Sequence, residues 1–377
     1  MRLLILLALT AVLVGTVFYL AHRLHRWIRH FAPKLSPTIP LTVLTALLVL
    51  MVLSIFRPFD GTVQRIISGI GTFWMGIFAY LTMFFILADG VEWLLRLCRC
   101  LSRPAVDRFR LVAGITATAL ALCVPAYGLI HAKQIQVVSY DVQLSQDTSS
   151  ELNIVLISDV HLGAVGSEAR LEQMVEKING LSPDLVCIAG DFFDNDFDAV
   201  SDPEKALSLL RQLRAPYGVY ACLGNHDAGA SFDQMEAFLA AANIRLLKDE
   251  FVVIDGRLTL AGRRDPSPIG GAGDRRRSEL ANVLAGADPA LPVLVLDHNP
   301  QGVDAYGTGV DLVFSGHTHK GQIFPANLIT DLMYSVDYGY YRTAGGTQVI
   351  VTSGVGTWGL PMRVGTNCEI VQVHLKF

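Results

Sequence analysis

The first third of the chain is a succession of long apolar stretches with few charged positions. Stretches 3–20, 40–56, 66–87 and 111–130 each approach the roughly 20 residues that a helix needs to cross a bilayer. Any single stretch could be a buried core helix, but four in succession, nearly free of charge, favour membrane helices. The pattern predicts a multi-pass α-helical membrane region with about four helices over residues 1–132.

Lysine and arginine are distributed unevenly among the predicted loops of this region. The first loop carries four between positions 23 and 34, the third carries five between 96 and 110, and the second carries two. Loops rich in Lys and Arg stay in the cytoplasm. The expected location is therefore the inner cell membrane, with both termini and the C-terminal domain extracytoplasmic. The first apolar stretch has no clear small-residue cleavage site, which favours a retained helix over a signal peptide.

From residue 133 onward, short apolar runs alternate with amphipathic stretches, which predicts an α/β domain with buried sheets over residues 133–377. The last two strand-forming runs are separated by a Gly-rich loop, which suggests antiparallel closure at the C-terminus. The predicted strands are 154–157, 185–189, 219–223, 258–261, 293–296, 312–314, 349–352 and 370–375, and the predicted helices are 171–178, 205–213 and 234–244.

Composition and net charge argue against a nucleic-acid-binding protein. Charged residues make up 17% of the chain, against about 25% in a soluble globular protein, because the N-terminal part is so apolar. The net charge of -4 gives no support for nucleic-acid binding, which needs a basic face. Cysteines in the C-terminal part lack the pair spacing of a zinc site. Cys187 and Cys222 lie in apolar runs and are interpreted as buried free thiols.

Candidate metal ligands follow the ends of several predicted strands. Asp, Asn and His residues occur directly after five of the runs, and half of the ten histidines of the chain lie there. Because ligand sites in open α/β sheets form outside the carboxyl ends of the strands, these side chains are expected to converge. Packing alone does not explain them, since a buried polar group is costly unless it is paired or bound to a metal. The residues are Asp159, His161, Asp191, Asn225, His226, His298, His317 and His319.

These residues resemble the ordered motifs of the calcineurin-like metallophosphoesterase superfamily. All five motif blocks occur in order, and segments 316–323 and 353–363 are similar to a membrane-associated bacterial branch. That branch resembles transmembrane metallophosphoesterase-domain proteins and some UDP-diacylglucosamine hydrolases. Lys320, and Arg263 and Arg264 before Asp265, depart from the common pattern and bear on the substrate. The blocks are Asp159-Val160-His161, Gly190-Asp191-Phe192-Phe193-Asp194, Gly224-Asn225-His226-Asp227, His298, and Gly316-His317-Thr318-His319.

The resemblance implies a metallophosphoesterase-type β-sandwich flanked by helices, with a site for two divalent ions (Mn, Fe or Zn). His226 would protonate the leaving oxygen, and Asp227 would either orient the His226 ring or brace its loop. Arg363 would contact either the substrate phosphate or a surface partner. By the same resemblance, one ion would be held by Asp159, His161, Asp191 and His319, and the other by Asp191, Asn225, His298 and His317.

The function expected from these motifs is metal-dependent hydrolysis of a phosphomonoester or phosphodiester by a membrane-anchored enzyme. The membrane region makes membrane lipid an expected partner and a lipid-linked phosphate ester a candidate substrate. Two alternatives stay open. One is a UDP-diacylglucosamine-type pyrophosphate hydrolase, which requires a cytoplasmic domain, and the other is a non-catalytic membrane sensor.

Overall fold

The computed structural model describes residues 2–59, 61–100, 103–144, 150–271, 276–307 and 309–377. The chain divides into two compact units, Met1–Gly128 and Leu129–Phe377. The N-terminal unit is built from α1 (Arg2–Ile28), α2 (Thr38–Phe56), α3 (Gly61–Leu97) and α4 (Arg103–His131), of which α4 runs into the second unit. The predicted boundary at residues 132 and 133 falls between the end of α4 and the first strand.

Four helices in the described part of the chain are long and apolar enough to cross a membrane, which confirms the multi-pass prediction. The third helix extends ten residues beyond the predicted stretch 66–87, to Leu97. This extension carries Asp89, which pairs with Arg23 of α1 at 2.8 Å. It also carries Glu92, which pairs with Arg110 of α4 at 2.8 Å. The predicted first and third loops therefore lie at the same end of this helical unit.

The C-terminal unit contains two six-stranded sheets, ordered β1-β12-β2-β3-β4-β5 and β10-β11-β9-β8-β7-β6. Each predicted strand is present, and its ends lie within three residues of the predicted ends. The strands are β1 (Ile135–Gln143), β2 (Glu151–Ile157), β3 (Leu185–Ala189), β4 (Val219–Cys222), β5 (Ile244–Leu246), β6 (Glu250–Ile254), β7 (Leu258–Gly262), β8 (Val293–Leu296), β9 (Leu312–Ser315), β10 (Gly339–Arg342), β11 (Gln348–Val351) and β12 (Cys368–Lys376).

The two sheets stack through their apolar faces, and helices cover their outer faces. Leu156 and Cys187 of the first sheet pack with Leu260 and Leu294 of the second in one buried cluster. The outer face of the first sheet packs against helices that bury residues such as Leu171. These observations confirm a sandwich flanked by helices. The helices are α5 (Ser167–Gly180), α6 (Pro203–Leu210), α7 (Phe232–Ala241), α8 (Leu280–Val283) and α9 (Ala326–Met333).

The last two strands, β11 and β12, were expected to form an antiparallel closure, but they lie in different sheets. Strand β12 pairs antiparallel with β2, as expected, but β11 pairs parallel with β9. The reason is that the connection between β11 and β12 passes from one sheet to the other, so the two strands are not partners. Cys187 and Cys222 are buried free cysteines, as predicted.

Candidate metal centre

All seven predicted ligands lie at the carboxyl ends of strands from both sheets. Asp159 and His161 follow β2, Asp191 follows β3, and Asn225 follows β4 in the first sheet. His298 follows β8, and His317 and His319 follow β9 in the second sheet. The stacking of the sheets brings these ends together at one edge of the sandwich.

Five of these residues have a left-handed backbone conformation that non-glycine residues rarely adopt. The φ angles are 55° at Asp159, 49° at His161, 50° at Asp191, 71° at His317 and 49° at His319. Such conformations cost on the order of 1–3 kcal/mol each and persist where the surrounding structure enforces them, often at functional sites. Here they turn the backbone sharply after β2, β3 and β9, so that the side chains that follow these strands face the ligand groups.

The first group of ligand atoms surrounds a point between β2 and β9. His319 Nε2 lies 3.1 Å from His161 Nε2 and 3.2 Å from Asp159 Oδ1. His161 Nε2 lies 3.9 Å from Asp159 Oδ1 and 3.8 Å from Asp191 Oδ2. Two nitrogens and the carboxylate oxygens thus point at one another, which is unfavourable unless protons or a cation lie between them.

The second group of ligand atoms lies on the other side of Asp191. His298 Nε2 is 3.1 Å from Asp191 Oδ2 and 3.2 Å from Asn225 Oδ1. His317 Nδ1 is 2.8 Å from Asn225 Oδ1 and 3.2 Å from His298 Nε2. The same oxygen of Asp191 therefore faces both groups, so this carboxylate would be shared if each group held an ion.

The spacing of these atoms fits divalent ions. Ligands at about 2.0–2.2 Å from a zinc-like ion are separated from one another by roughly 3–3.5 Å. The measured separations within the two groups lie between 2.8 and 3.9 Å. The donors are imidazole nitrogens and carboxylate or amide oxygens with no thiolate, which suits Mn, Fe or Zn. The residues present therefore fit a pair of such ions that share Asp191.

Outer hydrogen bonds orient two of the imidazoles for metal binding. Nδ1 of His298 is 2.8 Å from the carbonyl oxygen of Ala189 and donates to it. Nδ1 of His161 is 3.2 Å from Asp194 Oδ1. A proton on each Nδ1 leaves Nε2 as the ring nitrogen that faces the centre. Asp194, the last residue of the motif block after β3, thus holds the ring of His161, which follows β2.

The glycines of the motifs are required by close approach. A Cβ atom at Gly224 would overlap the carboxylate of Asp191, and one at Gly316 would overlap Ser158 and Asp159. Asp191 Oδ1 accepts from the backbone N–H of His226 at 2.8 Å, across the space that Gly224 leaves open. The fixed positions of these glycines follow from this packing of one motif against another.

Burial and neighbouring charges set the protonation of the ligands. Burial would raise the pKa of Asp191, but His298 nearby holds that pKa below its ordinary value. Burial lowers the pKa of His317 to about 4, aided by the charge of His298. Burial likewise lowers the pKa of His319 to about 4. Near neutral pH the carboxylate is therefore ionised and both imidazoles are neutral, which are the forms that bind metals.

His226 faces the centre, as expected, but its neighbours differ from the expectation. A ring nitrogen of His226 lies within 4.8 Å of ligand atoms of His161 and Asp191. The carboxylate near its Nδ1 is Asp194, at 3.8 Å, and Nδ1 has no hydrogen-bond partner among the residues that the structure describes. Burial lowers the pKa of His226, while the charges of Asp191 and Asp194 act in the opposite direction.

Asp227 braces the loops rather than orienting the His226 ring. Its carboxylate accepts backbone N–H groups of Phe193 at 2.9 Å, Gly224 at 2.9 Å and Phe192 at 3.2 Å. Burial and the nearby charge of Asp191 raise the pKa of Asp227 to about 6, against the effect of these donors. The loop-bracing alternative for Asp227 therefore matches the contacts.

Arg363 is fully buried, so neither expected role, at a surface ion pair or on the substrate phosphate, was right. Its guanidinium donates to the carbonyl oxygens of Ser353 at 2.7 Å, Gly356 at 2.6 Å and His319 at 2.9 Å. It thus ties the loop before β12 to the turn that carries His319. It also lies 3.1 Å from Nδ1 of the His319 ring. The sequence offered no signal for this role, because most of the acceptors are backbone atoms.

Three more residues near the ligand groups, Asp265, Trp358 and Tyr334, were not predicted as site residues from the sequence. Asp265 is buried, and its Oδ2 has no hydrogen-bond partner within the described ranges. The ring of Trp358 lies 6.1 Å from that of His226, and the ring of Tyr334 lies 6.3 Å from that of His317. The two aromatic side chains flank the ligand groups on different sides. Arg263 and Arg264, by contrast, are engaged with Tyr306 and Asp249.

Comparisons with known proteins agree with this arrangement. A model of the family described as calcineurin-like phosphoesterase matches residues 152–321. A transmembrane protein with metallophosphoesterase domain from Danio rerio is 31% identical over 320 residues, which cover 80% of this chain and 72% of that protein. An uncharacterized metallophosphoesterase from Aquifex aeolicus is 32% identical over 259 residues, covering 68% of this chain and 98% of that protein.

A more distant relative carries a more specific name. The UDP-2,3-diacylglucosamine pyrophosphatase LpxG of Chlamydia trachomatis is 30% identical over 237 residues, covering 49% of this chain and 70% of that protein. The family model and the first relatives confirm the resemblance read from the motifs. This chain is a membrane protein that belongs to the calcineurin-like phosphoesterase family.

Proposed function

We propose that the domain formed by residues 133–377 hydrolyses phosphomonoester or phosphodiester bonds at a membrane surface, using two divalent ions. The observation that carries this proposal is the position of Asp191 Oδ2 between two groups of imidazole nitrogens and oxygens, 3.1 Å from His298 Nε2 and 3.8 Å from His161 Nε2. A membrane lipid or a lipid-linked phosphate ester is the proposed substrate class, because the same chain carries the membrane helices.

The residues of the chain divide the work between binding and proton transfer. Asp159, His161, Asp191 and His319 would hold one ion, and Asp191, Asn225, His298 and His317 the other. When bound, two such ions would lower the pKa of water and offset the negative charge of the phosphate oxygens.

His226 would donate a proton to the leaving oxygen. Its ring is held between the centre and Trp358, and it has no expected place among the metal ligands. Asp227 would keep the loops after β3 and β4 in register through its three backbone hydrogen bonds. Both residues therefore belong to the proposed catalytic set, His226 by contact and Asp227 by positioning.

Turnover by the full-length protein tests the proposal directly. The protein is reconstituted in lipid nanodiscs, loaded with Mn, and assayed with para-nitrophenyl phosphate and bis-para-nitrophenyl phosphate. Metal-dependent release of nitrophenol that is lost in Asp191→Ala is the expected result. Bound metal without turnover of either ester would instead favour the non-catalytic sensor.

A second candidate function is cleavage of the pyrophosphate of a UDP-linked acyl sugar. The similarity to the Chlamydia trachomatis pyrophosphatase favours it. This function requires the catalytic domain to face the cytoplasm, where nucleotide-linked substrates are made, whereas the lysine and arginine distribution predicts an extracytoplasmic domain. Membrane topology therefore separates the two functions.

A further inference from the structure

Helix α9 exposes an apolar face beside the metal centre. Four of its eight residues are large apolar side chains with high exposed fractions: Leu328 (53%), Ile329 (58%), Leu332 (87%) and Met333 (68%). Phe324, just before the helix, is exposed as well. A monomeric soluble protein rarely leaves such a contiguous patch in water, and the patch therefore marks a surface that another apolar phase covers.

The patch is concentrated rather than scattered. Within the described part of the C-terminal unit, five of the large exposed apolar side chains fall between positions 324 and 333. Others, such as Val165 and Val253, stand singly on distant elements. Single exposed apolar residues are normal on any protein, so only the α9 face calls for an occupant.

The polar side of α9 is fixed to the turn that carries two predicted ligands. Thr330 Oγ1 donates to Asp337 Oδ2 at 2.6 Å, and Thr318 Oγ1 donates to the Asp337 carbonyl at 2.6 Å. Thr318 lies between His317 and His319. In addition, Gly321 packs so closely on the start of α9 that a Cβ there would overlap Asn327. The exposed face is therefore held in a fixed position relative to the metal centre.

We propose that α9 is an interfacial helix whose face, formed by Phe324, Leu328, Ile329, Leu332 and Met333, inserts into the hydrocarbon edge of the membrane. The chain tethers the unit that carries this surface to the membrane helices, because only residues 132–134 join the end of α4 to the start of β1. The C-terminal unit is thus covalently held within reach of the lipid surface.

The near absence of charge on α9 favours lipid hydrocarbon over a charged partner. The helix contains no Lys or Arg, and Asp331 is its one ionisable residue. The nearby Lys320 does not contribute a cation to the face, since its Nζ lies 3.9 Å from the centre of the Tyr338 ring. An apolar face of this kind binds through burial of its side chains, with little dependence on anionic headgroups.

Spin labelling of the full-length chain tests the location of α9. The exposed Cys98, Cys100 and Cys123 are replaced by Ser, which leaves three buried cysteines, and a nitroxide is attached to Leu332→Cys in lipid nanodiscs. The expected result is a label that collides more often with oxygen, which concentrates in the bilayer, than with a water-soluble nickel chelate. A label at Val253→Cys, an isolated exposed apolar position on β6, should instead collide more often with the nickel chelate than with oxygen.

Two results would overturn the proposal. One is a label at position 332 that is as open to the nickel chelate as the label at 253. The other is spin–spin broadening at 332 that disappears on dilution with unlabelled protein, which would assign the face to a second copy of the chain.

A charge variant provides an independent readout. Leu332→Glu with Met333→Glu should reverse the preference of a label at Leu328→Cys, and turnover of bis-para-nitrophenyl phosphate should stay within about twofold because these side chains do not touch the ligands. An unchanged label at position 328 would contradict insertion. The label measurements need no turnover, so failure of the proposed hydrolysis and failure of membrane docking give different results.

Discussion

At the scale of single residues, Asp191 is the point on which both ligand groups depend. Its Oδ2 faces His298 and His161, and its Oδ1 is held by the backbone N–H of His226. Both oxygens are therefore fixed in position by neighbouring groups. Removal of this carboxylate takes away the negative charge that the two ligand groups share and that would offset the repulsion between two ions.

Substitutions at Asp191 and His226 should separate metal binding from proton transfer. We expect Asp191→Ala to lose bound metal and all turnover, and His226→Ala to keep its metal but lose turnover by roughly 10²-fold or more. Metal content measured by elemental analysis and steady-state turnover check both expectations. His374→Ala, on an exposed position of β12, serves as the histidine control and should retain both.

The leaving group makes the His226 prediction more specific. An alkyl phosphate ester needs a proton on its leaving oxygen, whereas nitrophenolate leaves readily without one. His226→Ala should therefore lose more activity on an alkyl ester than on the nitrophenyl ester. Equal losses on the two substrates would point to a role in binding phosphate instead of protonating the leaving oxygen.

The motifs specify which residues converge, but not what holds them in place. All seven predicted ligands follow from strand ends and motif order, because metal coordination dictates the types of side chain. The role of Asp227 did not follow, since its partners are the backbone N–H groups of Phe192, Phe193 and Gly224. Backbone groups carry no sequence identity, so contacts made to them are invisible in a motif.

At the scale of elements, the strands that the sequence missed are the edges of the two sheets. β1 and β5 flank the first sheet, and β6 and β10 flank the second. Inner strands such as β3 are buried on both faces and read as continuous apolar runs. Edge strands are half exposed, so β1 mixes buried and exposed positions and gives no such run. Helix α9 was missed as well, because its eight residues span little more than two turns.

The loop between β11 and β12 depends on one buried guanidinium. Arg363→Met keeps the length and apolar stem of the side chain but removes the donor that the carbonyl groups of Ser353, Gly356 and His319 share. The carbonyl of His319 keeps a second donor, the backbone N–H of Gln322. An unsatisfied buried acceptor costs about 1–3 kcal/mol. We expect a lower unfolding midpoint, by on the order of 5 °C, and weaker Mn binding, because the turn at His319 loses its support.

Thermal unfolding and Mn titration of the full-length protein measure these two effects. Arg342→Met is the matched control, since Arg342 lies on the edge strand β10 and its side chain bonds to the Gly346 carbonyl at 3.3 Å. An Arg363→Met protein with an unaltered affinity for Mn would show that the loop does not position His319.

At the scale of the whole molecule, the chain couples a membrane region to a centre built from distant segments. The N-terminal helices follow from composition alone, whereas the centre requires two sheets to stack with their strand ends aligned. Sequence motifs could predict that convergence, but not the path of the chain between β11 and β12. That path depends on packing between sheets, which has no local pattern.

Membrane topology decides which substrates the centre can meet. Ion pairs join Arg23 to Asp89 and Arg110 to Glu92, so the ends of α1 and α3 and the start of α4 share one end of the helical unit. The predicted first and third loops, which hold most of the Lys and Arg, are at that end. Such loops stay in the cytoplasm, and the orientation rule counts Lys and Arg without subtracting nearby acidic residues.

A C-terminal alkaline phosphatase fusion should therefore be active and a C-terminal green fluorescent protein fusion dark, because the chain after α4 emerges on the outer side. Fusions after Pro58 in the second loop and after Cys100 in the third provide the outer and inner references. A bright C-terminal fluorescent fusion would reverse the orientation, place the centre among cytoplasmic nucleotide-linked substrates, and favour cleavage of a UDP-linked lipid over hydrolysis of a lipid phosphate on the outer surface.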